Sequence, residues 1–92
     1  MSDSKKIAVI VSDRQDEGLR MALGLTLEGD EISVFNLGSP IEMNDGNEMN
    51  VDALGEFDCL LYSVNEKDAA FTQINMQDMP AKLLEFNDVL SY

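Results

Sequence analysis

Lys5-Lys6-Ile7-Ala8-Val9-Ile10-Val11-Ser12-Asp13 decides the fold class. Its centre, Ile7 to Val11, is an unbroken apolar run rich in β-branched residues. Such a run suits a strand covered on both faces in a parallel sheet better than a strand with one wet side. Ser12 and Asp13 end it with side chains suited to capping a helix. Leu19, Ala22, Leu23, Thr26 and Leu27 then recur at helical spacing, and Gly29 stands where a left-handed cap would close that helix. Met21 and Leu25 fall off this stripe, which predicts a helix apolar on a second side, turned toward a partner subunit.

Glu31 to Asn36 alternates polar and apolar residues and is closed by Gly38-Ser39-Pro40. Strand, helix and strand in this order predict two parallel neighbours joined by a right-handed crossover. Residues 41 to 50 are poor in strong formers of either kind and read as an exposed loop with Asp45-Gly46 as its turn. A short helix over Val51 to Leu54 is expected next, then a buried strand over Phe57 to Val64. A helical turn over Asn65 to Phe71 and a short strand over Thr72 to Gln77 follow. Pro80 suits the first turn of a helix buried through Leu83, Leu84 and Phe86, and Val89 to Tyr92 reads as a last strand.

Ninety-two residues predict one domain, 1–92, with a modest core. Eighteen acidic residues against six basic ones give a net charge of −12, and from Arg20 to Lys67 there are ten acids and no base. That excess argues against nucleic acid and anionic membranes and leaves solubility, or a docking surface for a basic protein, as its use. The five-residue run Ile7 to Val11 is too short for a signal-peptide core or a membrane span, and one cysteine forms no internal disulfide. A cytoplasmic setting is expected.

Chemistry is narrowed mostly by exclusion. There is no histidine, so Ser12, Ser39 or Ser63 would need a lysine or carboxylate as base, and Ser63 with Lys67 is a commonplace spacing. Cys59 has no positive charge near it in sequence, and burial beside Asp58 would keep it a thiol, which favours packing over nucleophilic work. Around Asn44-Asp45-Gly46 the calcium-loop template puts Ile41 and Met43 where oxygen ligands belong. The acids after the first strand would repel a phosphate. Met43, Met49, Met76 and Met79 suit either an adaptable surface or ordinary core filling. Neither metal nor cofactor is expected. In open α/β sheets ligands gather beyond the carboxyl ends of the strands. That rule selects Ser12, Asp13, Asn36, Ser39, Ser63 and Asn65 as candidate ligand-binding residues, all equally suited to turns and caps.

The order of elements, with Lys6–Val11, Gly18–Leu25, Glu31–Phe35 and the ending Met79–Tyr92, resembles the DsrE/DsrF-like sulfur-relay family. The likeness covers most of the chain and is one of pattern and spacing. It implies a small flavodoxin-like three-layer α/β sandwich, a mostly parallel sheet of four to five strands with helices on both faces, assembled as a homo-oligomer in the cytoplasm. Members that carry sulfur hold it on a cysteine just past the strand matching Cys59–Val64, where this chain has Ser63-Val64-Asn65. The resemblance thus implies a non-catalytic binding or structural partner linked to sulfur or redox metabolism. Sulfur transfer through Cys59, or an α/β ligand-binding domain outside this family, stands as the alternative.

Overall fold

A computed structural model describes residues 5–92. The β-branched run forms β1 (Lys6–Val11), followed by α1 (Gln15–Leu27), β2 (Glu31–Asn36), α2 (Asp45–Glu56), β3 (Leu60–Ser63), β4 (Thr72–Gln73), α3 (Met79–Leu83) and β5 (Asp88–Ser91). A single 3-10 turn, Met76–Asp78, leads into α3. The strands make one sheet in the order β4-β3-β2-β1-β5, parallel throughout. This is an α/β fold with the layering of a small flavodoxin-like sandwich. Here β1 lies between β2 and β5, whereas the flavodoxin order puts it between β2 and β3.

Period-2 alternation divides the sheet into two apolar faces. Ile7, Val9, Val11, Ile32 and Val34 point to the side covered by Leu19 and Ala22 of α1 and Val51 and Leu54 of α2. Ala8 and Phe35 point to the other side, under Met79, Leu83 and Phe86. Phe35 stacks on Tyr62 at 4.9 Å between centroids and meets Phe86 edge-on at 5.7 Å. Each fully buried Phe35, Leu19 or Leu54 side chain stabilises the fold by roughly 1.5–3 kcal/mol. The two layers are unequal, because α1 and α2 run 13 and 12 residues while α3 has five.

Several local expectations need correction. Residues 45 to 50 belong to α2, because Asn44 caps it, its Oδ1 accepting from the Asn47 N–H at 2.9 Å. Asn47, Val51 and Leu54 then bury one side of the helix. At the other end of α2, residues 57 to 59 form its closing turn, so β3 starts only at Leu60. Asn65 to Phe71 folds as successive turns without a helix, and β4 is two residues long. On α1 the N-cap is Arg14, with no side-chain cap from Ser12 or Asp13. Leu25 packs into the core whereas Leu27 is exposed, and Met21 is exposed as expected. Gly29 closes the helix at φ +98°, as the sequence indicated. Pro80 sits in the first turn of α3, but the buried anchor there is Met79, and Leu84 is 86% exposed.

Candidate functional site

At the carboxyl end of the sheet the chain turns from β1 toward β2, while β5 flanks the other side of β1. The crevice between β1 and β5 is therefore the topological switch point, where α/β sheets usually take ligands. Here it is filled by the protein's own backbone. The N–H groups of Ser12, Asp13 and Arg14 all point at the Tyr92 carbonyl oxygen, at 3.5, 3.3 and 3.0 Å. The Arg14 guanidinium also lies over the Tyr92 ring at 5.8 Å. The three N–H groups of the turn from β1 into α1 are thus already occupied.

Further along the same end, β2, β3 and the loop Val64–Phe71 meet in a polar cluster around Asp68. This carboxylate, 6% exposed, accepts three hydrogen bonds: Oδ2 from Asn36 Nδ2 and Ser63 Oγ, each at 2.6 Å, and Oδ1 from the Ile41 N–H at 2.8 Å. Asn36 Nδ2 donates also to the Ser39 carbonyl, and Asn36 Oδ1 accepts from the Gly38 N–H. Ser63 Oγ accepts from the Asn65 N–H, and Asn65 Nδ2 donates to the Gly38 carbonyl. Gln15 ties the loop from the α1 side, donating to the Ser39 and Pro40 carbonyls and accepting from the Glu42 N–H. Glycine is required at position 38 because a Cβ there would collide with the Ser12 backbone.

Of the six rim residues singled out from sequence, Asn36, Ser39, Ser63 and Asn65 come together in this cluster. Ser12 abuts it through its backbone, and Asp13 stays outside in solvent. The polar atoms of the cluster serve one another, which is the arrangement of a loop clamp: the Ser63 hydroxyl meets the Asp68 carboxylate, but Ser63 is fully buried and the carboxylate is held by two further donors. Beside it lies a cavity of about 250 Å³ lined by Ile41, Met43, Lys67, Ala69 and Phe71. Asp68 and Gln15, the two side chains that organise the rim, were missed from sequence. Asp68 has no local mark separating it from the other acids, and its partners lie 5, 27 and 32 positions away.

Cys59 lies at the opposite, amino end. Its N–H donates to the Leu54 carbonyl and the Asp58 N–H to the Gly55 carbonyl, each at 3.1 Å, which closes α2 in a Schellman turn. Asp58 occupies the left-handed position of that turn, at φ +60°. The half-buried thiol lies 3.1 Å from the Thr26 hydroxyl. Burial raises its pKa, the contact with Thr26 lowers it, and the Asp58 carboxylate raises it again, so the result is upward. A helix C-terminus is also the wrong end to stabilise a thiolate. The surrounding open groove of about 360 Å³ runs past Lys6, Ser33, Phe57, Leu60 and Phe86.

Among the described residues no helix is long and apolar enough to cross a membrane. No family model, curated protein or solved structure matches the chain.

Proposed function

We propose that the chain is a non-catalytic association domain that pairs with a second copy of itself through the thinly covered face of the sheet. One row across that face carries the reading. Leu60, Ser33, Ala8 and Val89 are consecutive cross-strand neighbours from β3 through β2 and β1 to β5. The row's centre is buried, while Leu60 and Val89 at its ends are 55% and 44% exposed. Five residues of α3 are too few to cover a five-stranded sheet, and unfinished apolar coverage favours association.

Charge supports a second copy as the occupant. Lys82 pairs with Glu85, Lys6 stands opposite Glu31 in the β1–β2 register, and Lys6 and Lys82 lie over the Phe86 and Tyr62 rings. This face therefore carries locally balanced charge, whereas the α1 and α2 layer holds much of the excess acid. Two copies meeting on the balanced face keep their acidic layers apart. On the resemblance alone, the reading extends to a cytoplasmic setting beside sulfur- or redox-handling proteins, with the acidic layer turned to a protein partner. Sulfur transfer through Cys59 has against it the raised thiol pKa and the helix C-terminus beside it.

Sedimentation equilibrium over a wide concentration range tests the proposal. An oligomer that Leu60→Glu with Val89→Glu dissociates, with unchanged circular dichroism, is the expected result. A chain that stays monomeric at every concentration, or an oligomer indifferent to both substitutions, refutes it.

A further inference from the structure

The end of α3 gives the association face both a protrusion and a recess. There the chain turns toward β5, the Glu85 N–H donating to the Lys82 carbonyl and the Phe86 N–H to the Leu83 carbonyl, each at 3.1 Å. Leu83 and Phe86 pack under the sheet beside Met79. Leu84 between them points away and, at 86%, is the most exposed large apolar side chain among the described residues. Phe86 is also one wall of the open groove of about 360 Å³ at the amino end of the sheet. The mouth of that groove is made by Lys6, Glu31, Ser33 and Leu60, which share the parity of Ala8 in the strand register and so open on the association face. A protruding leucine and a recess it leaves unfilled therefore lie side by side.

Resting on the self-association reading above, we propose that two copies are joined by a reciprocal exchange about a two-fold axis. Leu84 of each copy enters the groove of the other, against Leu60 and Phe86. Adjacency is what lets the exchange close. In a two-fold pair one patch meets itself, so protrusion and recess must lie near a common axis, whereas the same two features on opposite sides of the molecule would build an open chain. The charges at the two halves of the contact agree with this arrangement. Leu84 stands between Lys82 and Glu85, which pair at 3.7 Å, and the groove mouth carries Lys6 opposite Glu31. One base and one acid border each half, so Lys82 faces Glu31 and Glu85 faces Lys6 of the other copy, and no like charges are forced together. Leu83 already takes the inward direction on α3, so only a second copy removes Leu84 from water, twice in each pair.

A charge exchange in the full chain tests the contact by sedimentation equilibrium, with circular dichroism as the check on folding. Leu84→Lys and Leu60→Glu should each weaken association by about a hundredfold or more, since one substitution alters both halves of a symmetric contact. Mixed in equal amounts, the two variants should associate more tightly than either does alone, because the mixed pair keeps one native contact and sets an ammonium against a carboxylate in the other. Leu27→Lys, at the exposed end of α1, mixed with Leu60→Glu is the control for long-range attraction and should give no rescue. An oligomer that Val89→Glu dissociates and Leu84→Lys leaves intact overturns the exchange while the association face stands. A monomeric parent overturns both readings. No rescue on mixing, equal rescue by the control, or a parent that forms an open series of ever larger species overturns the reciprocal contact.

Discussion

Replacing Asp68 is the sharpest perturbation of the loop clamp, because one carboxylate answers three donors from separate parts of the chain. In Asp68→Ala, Asn36 Nδ2 keeps the Ser39 carbonyl as an acceptor. The Ser63 hydroxyl and the Ile41 N–H lose the acceptors they have. Two buried donors are then orphaned and a third is half served. At about 1–3 kcal/mol for each unsatisfied group, the expected loss is about 3–5 kcal/mol. A 92-residue domain has about 5–14 kcal/mol in total, so the variant forfeits a large share of its stability. Its melting temperature should fall by about 12 °C or more.

Asp68→Asn is the more exacting test, since it preserves volume and removes only the acceptor-only character of the group. If the new amide nitrogen takes the place of Oδ2, it confronts Asn36 Nδ2. If it takes the place of Oδ1, it confronts the Ile41 N–H. Either orientation leaves a donor facing a donor, so the cost should approach that of alanine. Urea unfolding at neutral pH, followed by far-UV circular dichroism, measures both variants. Asp52→Ala, on the exposed side of α2, serves as a control expected within about 0.5 kcal/mol of the parent. A parent-like Asp68→Asn beside a damaged Asp68→Ala would show that filling space, not accepting hydrogen bonds, is what the clamp requires, and would refute the reasoning.

Two further substitutions read the amino end of the sheet. Asp58 holds a left-handed conformation that glycine adopts without a Cβ penalty, so Asp58→Gly should stabilise the domain by about 0.5–1 kcal/mol after allowing for the looser unfolded chain. Its melting point should rise by about 2–8 °C, while Asp58→Ala gives no such gain, and equal gains from both would remove the conformational explanation. For Cys59 the folded thiol pKa lies above the unfolded one, so the unfolded chain releases its proton first as pH rises. The stability due to the protonated thiol is therefore complete below the ordinary thiol range and is lost as pH climbs through the folded pKa. The stability difference between parent and Cys59→Ser should shrink as pH rises above the ordinary thiol pKa of about 8.5, and a difference independent of pH would contradict the raised pKa.

Ile7 to Val11 and Glu31 to Asn36 announced their strands because burial on the sheet imposes its pattern on the sequence itself, and Pro80 announced α3 because its ring suits only a first turn. The start of α2 is also written locally, in Asn44 as cap and in Asp45 and Glu48 as first-turn acids, but Asp45-Gly46 is equally a turn pair. The rim was legible only as an inventory. Asn36, Ser39, Ser63 and Asn65 stand where an α/β protein would meet a ligand, and the same residue types close loops whose backbone groups must be satisfied away from water. Which use prevails depends on partners as distant in sequence as Asp68 from Asn36, and no local pattern encodes that pairing. Asn36 and Asn47 show the consequence. Both are buried asparagines at the end of an element, and sequence alone gives them equal standing. Every polar atom of the first is engaged within the clamp, so it holds the fold, whereas the second ties the entry of α2 to the Glu42 carbonyl through Nδ2 and keeps one buried oxygen without a donor.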